Sequence, residues 1–167
     1  GAWNSLAEER NEAPSGPGKR SQGRRITLES LDLSPDTRPL TRHLSHISEF
    51  DRVSGGGLVP GSATLIGGDP GIGKSTLLLQ LVCKLAAGGL NAAYISGEES
   101  ADQVRMRARR LGLSDTNVQL ATATNASDIA ASLGGADGPD VIVIDSIQTM
   151  YLPTLDSASG TVSQVRA

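Results

Sequence analysis

Eight consecutive residues, Gly68-Asp69-Pro70-Gly71-Ile72-Gly73-Lys74-Ser75, follow the spacing G-x-x-x-x-G-K-[ST]. Glycines let such a loop curl until successive backbone N–H groups point inward at phosphate oxygens. A helix that starts there turns its positive end toward the same anion. Lys74 would then supply a point charge to the β- and γ-phosphates, the Ser75 hydroxyl a ligand for Mg²⁺, and Thr76 would complete the phosphate-binding set. The motif predicts binding of a nucleoside triphosphate, with ATP and Mg²⁺ as the expected pair.

Three carboxylates stand where such a site needs them. Asp145 ends the apolar run VIVI, and ligands of open α/β sheets collect at the carboxyl ends of strands. There it could hold Mg²⁺ through water, or merely cap the next turn. Glu98 and Glu99 follow the run NAAYIS and reach the same edge, where a carboxylate could act as general base on an attacking water. Both also lie just before a helix start, where acids are favoured by the dipole alone. Arg105, Arg107, Arg109 and Arg110 crowd one helix; they fit a solvated face better than a DNA-binding stripe, because they do not share one side. His43 and His46 have no ligand partners at useful spacing, and Trp3 sits near an unstructured end.

The elements that must position these groups alternate strand and helix. A strand is expected at Ser62–Gly67 and a helix at Ser75–Ala87, ended by Gly88 and Gly89. A second strand spans Asn91–Ser96. Ser100 with Gln103 forms a capping box for a helix to Leu111, whose Ala101, Val104, Ala108 and Leu111 share one side. Val118–Ala121 is a weaker strand. Ser127–Leu133 is a short helix capped by Asn125 or Ser127, and Val141–Ile144 is a fully apolar strand. Apolar strands between helices predict an α/β fold, a mainly parallel sheet with helices on both faces.

The whole chain sets limits on this picture. Its 167 residues are 38% hydrophobic but only 2% aromatic, so a core must be built from Leu, Ile, Val and Ala. The net charge of −3 makes any nucleic-acid surface a local one. Cys83, the single cysteine, lies in an apolar run and is expected to be a buried thiol. No apolar stretch is long enough to span a membrane, and a cytoplasmic protein with no membrane partner is expected. Residues 7–25 read as a linker, ahead of a domain from residue 26 to 167. A sheet of this class usually continues past Asp145, and VSQVRA reads as the start of another helix. The chain is therefore expected to be the N-terminal part of an ATPase domain with an incomplete core.

FDRVSGGGLVPGSATLIGGDPGIGKSTLLLQ, AAYISGEES, VIVIDSIQTM and GTVSQVR, in this order, resemble the bacterial RadA (Sms) family of DNA repair proteins. These are RecA-fold P-loop ATPases of homologous recombination, and the resemblance runs from Ile26 to the end. It implies a DNA-dependent, helicase-like ATPase that forms a homo-oligomeric ring, moves on single-stranded DNA and drives branch migration. The implied partners are single-stranded and branched DNA and a recombinase of the RecA type. By the family pattern Lys74 and Ser75 are the P-loop pair, Glu98 with or without Glu99 the catalytic carboxylate, and Asp145 the Mg²⁺-site acid. Gln148, the loop from Thr149 to Thr161 and, more weakly, Gln164 fall where RecA-like proteins sense the γ-phosphate or contact DNA. GAWNSLAEE looks like the residues that follow the family's zinc module, so Zn²⁺ would belong to the parent protein, with no ligand in this chain. The family's KNRFG motif and Lon-protease-like domain are absent from it, so weak activity is expected of the chain alone. Two other readings stay open: a KaiC-like signalling ATPase or autokinase, and a nucleotide-binding scaffold.

Overall fold

A computed structural model of the chain describes residue 28 and residues 41–135 and 138–153. The expected linker, Trp3, the boundary at residue 26, Gln164 and the helix start in VSQVRA all lie outside the described residues.

Three short strands form a parallel sheet in the order β2-β1-β3: β1 (Ala92–Ser96), β2 (Val118–Thr122) and β3 (Val141–Asp145). All five residues of β1 are buried, as expected for a central strand covered on both faces. Its register sets Ala92 beside Val118 and Val141, and Ser96 beside Thr122 and Asp145.

One face of the sheet packs on α2 (Lys74–Ala87) and α3 (Ala101–Arg110). Leu79, Val82 and Cys83 of α2 meet Ala92, Tyr94, Val143 and Val104 there in one apolar cluster. Cys83 is buried as expected, and burial pushes its thiol pKa up, partly offset by a hydrogen bond from Thr116 Oγ1. The opposite face carries α4 (Ala126–Leu133), whose Ile129 packs with Ile95 and Met150. The fold class is thus the expected one, α/β with helices on both faces.

Local signals explain most of the helix ends. Ser100 Oγ accepts the Gln103 N–H, and Gln103 Oε1 accepts the Ser100 N–H, so the expected capping box is formed. Asn125, not Ser127, caps α4, its side chain accepting the Ser127 N–H. A short helix not expected from the sequence, α1 (Ser48–Val53), is held at its start by Asp51. That carboxylate accepts from Ser45 Oγ at 2.7 Å, Ser45 N at 2.9 Å and His46 N at 3.0 Å. Nearby, an antiparallel bridge joins His43 to Leu58.

The structure departs from the sequence reading at Ser62–Gly67. No strand forms there: residues 62–69 have no regular structure, and Leu65 is 83% exposed. A strand exists only through its ladder. Among the described residues nothing pairs with this segment. Among the described residues the outer side of β3 is likewise unpaired, at the edge of the sheet.

Candidate functional site

The phosphate loop leads directly into α2. Gly73, at φ 102°, occupies the N-cap position and offers no side chain to the helix end. The first backbone bond into the helix is Leu77 N to Gly73 O, at 2.9 Å. Among the described residues the N–H groups of Lys74, Ser75 and Thr76 therefore have no backbone acceptor, the arrangement an anion needs. Gly68, Asp69, Pro70, Gly71, Ile72 and Gly73 are all exposed. Lys74 Nζ folds back to donate to Gly68 O at 2.8 Å and Asp69 O at 2.9 Å. The ammonium is thus already at the mouth of the loop, held by the loop's own carbonyls.

The two other acids converge through the ends of adjacent parallel strands. Asp145 ends β3 and Glu98 follows β1, and Gly97 N donates to Asp145 O at 2.9 Å across the gap. Ser146 Oγ donates to Glu98 Oε1 at 2.8 Å, so the residue after one acid holds the other. Thr149 Oγ1 in turn donates to Ser146 O at 2.8 Å, within the 3₁₀ turn Ile147–Thr149. Gly97 is required for this closeness: a Cβ on it would lie 1.9 Å from Thr149 Oγ1 and 3.0 Å from Met150 Cε.

Glu98 and Glu99 have different surroundings. Glu98 is exposed beyond its bond to Ser146. Glu99 is held below by an ion pair with Arg107 of α3, whose side chain is only 15% exposed. Its backbone N–H donates to Ser96 Oγ at 2.9 Å. Arg107 thus corrects the expectation of a wholly solvated basic face; Arg105, paired with Asp102, and Arg109 and Arg110 remain exposed. Arg107 turns inward because α3 packs on the sheet through Val104 and Ala108, which brings the neighbouring position toward the strand ends.

Behind the acids lies Tyr94, fully buried, whose hydroxyl donates to Asp145 Oδ2. Burial first, and then the Asp145 carboxylate, push its pKa far above the usual phenol value, so the group stays a donor. The sequence reading missed Tyr94, Arg107, Ser146 and the close approach at Gly97. One signal was available, a polar-tipped aromatic inside an otherwise apolar strand, because a buried tyrosine hydroxyl needs a partner.

The residues present suit a nucleotide with Mg²⁺. Uncapped N–H groups and a lysine meet phosphate, while the Ser75 hydroxyl and the Asp145 carboxylate are hard oxygen donors. Among the described residues no cluster of three or more His, Cys, Asp or Glu could hold a metal alone. Mg²⁺ commonly takes one or two protein oxygens and completes its shell with phosphate and water. No hydrogen bond or ion pair joins the phosphate loop to Glu98, Glu99 or Asp145 among the described residues. Gln148 is exposed in the 3₁₀ turn.

Comparison with known proteins adds the family. A family model described as an AAA domain matches residues 35–166. The chain is 48% identical over its whole length to the DNA repair protein RadA of Brucella abortus, of which it covers 37%. It is 49% identical to that of Pseudomonas aeruginosa, with 99% of the chain and 36% of the relative aligned. The corresponding protein of Chlamydia pneumoniae is 46% identical, over 98% of the chain and 35% of the relative. The chain thus spans little more than a third of the length of these relatives. Motif order, parallel sheet and family match agree: the chain belongs to the AAA domain family, and within it stands with the RadA proteins that it resembles.

Proposed function

We propose that this chain is the nucleotide-binding part of an ATP-driven DNA repair protein, a DNA-dependent ATPase motor of recombination. Its load would be single-stranded DNA and branched intermediates, its working form a homo-oligomeric ring in the cytoplasm, and its partner a RecA-type recombinase. The observation that carries the chemistry is the junction of Glu98, Ser146 and Asp145 at the ends of two neighbouring parallel strands. It joins a candidate base and a candidate cation acid in a chain that also has an uncapped phosphate loop.

In this reading the loop N–H groups from Gly71 to Thr76 bind the β- and γ-phosphates, and Lys74 leaves its carbonyls to meet them. Ser75 and Asp145 would supply the oxygen ligands that this chain offers the cation. Mg²⁺ bound there would spread the charge that builds on the transferring phosphoryl group. Glu98, oriented by Ser146, accepts the proton of the attacking water. Glu99 is tied to Arg107 in an ion pair and is assigned a supporting place beside Glu98. Gln148 and Gln164 are assigned to γ-phosphate sensing or DNA contact.

ATP turnover of the full-length protein, with and without single-stranded DNA, tests the proposal. A several-fold stimulation is expected, abolished by Lys74→Ala and cut by a factor of about 10² or more by Glu98→Gln. Unstimulated turnover accompanied by labelling of the protein from γ-labelled ATP would replace the motor with an autokinase.

A further inference from the structure

Tyr94 lies two positions along the ladder from the candidate metal-site acid. It pairs with Val143, and Asp145 is two residues on, so both side chains project on the α2 face of the sheet. Two residues of strand rise about 6.6 Å, close to the reach of a phenol, so the hydroxyl meets the carboxylate diagonally. Tyr94 belongs to the apolar cluster that includes Leu79, Val82, Cys83 and Val104 and has no exposed surface. Its position is therefore set by the core rather than by solvent. Asp145, by contrast, is half-buried at the strand end, and a short side chain there has a free choice of rotamers unless something fixes it.

We propose that Tyr94 is a positioning residue for the metal-site acid, its buried hydroxyl engaging one oxygen of Asp145 so that the carboxylate presents a single orientation to a Mg²⁺–nucleotide. The inference rests on the reading of Asp145 as the cation acid. Groups that orient metal-binding side chains commonly change metal affinity by 10- to 100-fold when removed. A packing role alone predicts a different outcome, namely lower stability with an unchanged response to the cation.

The test is the Mg²⁺ dependence of nucleotide binding, read without turnover. Binding of a fluorescent ATP analogue to the full-length protein is titrated with Mg²⁺, and again in EDTA. Tyr94→Phe should raise the Mg²⁺ midpoint about tenfold while leaving binding in EDTA unchanged. Asp145→Ala should raise it at least as much, and Tyr94→Phe added to Asp145→Ala should have no further effect. Tyr94→Met, a smaller and flexible side chain also without a donor, should shift the midpoint in the same direction as Tyr94→Phe. An unmoved midpoint in Tyr94→Phe, with Asp145→Ala shifted, overturns the role of Tyr94 alone. An unmoved midpoint in Asp145→Ala overturns the reading of the acid itself. If Tyr94→Phe and Tyr94→Met both lose their fold while Asp145→Ala keeps it, Tyr94 is a packing residue and the proposal falls.

Discussion

Glu98 and Glu99 are neighbours in the chain but answer to different structures, one to β3 through Ser146 and the other to α3 through Arg107. Substitution should separate them. Glu99→Gln leaves Arg107 without its counter-charge in a half-buried place, where Arg107 Nη1 already lacks a hydrogen-bond partner among the described residues. It should lower stability by about 1–3 kcal/mol, seen as an earlier urea midpoint, with turnover falling less than in Glu98→Gln. Gly97→Ala is a sharper probe of the same edge, because its Cβ would overlap Thr149 Oγ1. The Thr149 side chain must then give way and lose its bond to Ser146 O, and both stability and turnover should fall, the former by about 1–3 kcal/mol in denaturant melts.

At the scale of elements, the features that carry local signals were legible. The α3 capping box follows from Ser100 and Gln103 alone, and Ser100→Ala should lower the stability of the folded protein by about 1 kcal/mol in thermal or urea melts. The central strand was visible because five of its residues are buried on both faces. Long-range partners were not visible: nothing in ADQVRMRARR says which arginine turns inward until α3 is laid against the sheet. The helix α1 was missed for a related reason. Its support is the side chain of Asp51, reaching back to Ser45 and His46 across a turn rather than following a helical period. The Ser45 hydroxyl above all holds that carboxyl below the usual range, against the opposing pull of burial. A group whose folded pKa is depressed lends stability above its unfolded pKa and loses it as pH falls through the folded one. Asp51→Asn should therefore melt earlier than the parent at pH 7, and the difference should shrink as the pH falls below the usual aspartate range, read as melting temperature against pH.

At the scale of the molecule, the sheet has an open edge among the described residues. β3 is an edge strand, with Ile142 at 42% and Ile144 at 39% exposure beside a shallow apolar groove under α4. The segment 62–67 has strand-like residues but no ladder. The sequence made this strand legible as a pattern, and only the arrangement of neighbours decides whether such a pattern pairs. The 167-residue chain alone should bind nucleotide weakly and hydrolyse it barely, which a malachite-green phosphate assay checks. An open edge beside exposed isoleucines should also make the chain self-associate with concentration, measurable by sedimentation.

The hold of the loop carbonyls on Lys74 decides what the loop will ignore. With Nζ occupied by Gly68 O and Asp69 O, a visiting anion gains the ammonium only by displacing two bonds already made. A lone phosphate or sulfate, with charge but short reach, has little to offer in exchange. A triphosphate brings a chain of oxygens that can engage the helix N–H groups first and draw the lysine across afterwards. On the proposed reading, the resting contact would favour a polyphosphate long enough to reach the helix N–H groups before it reaches the lysine.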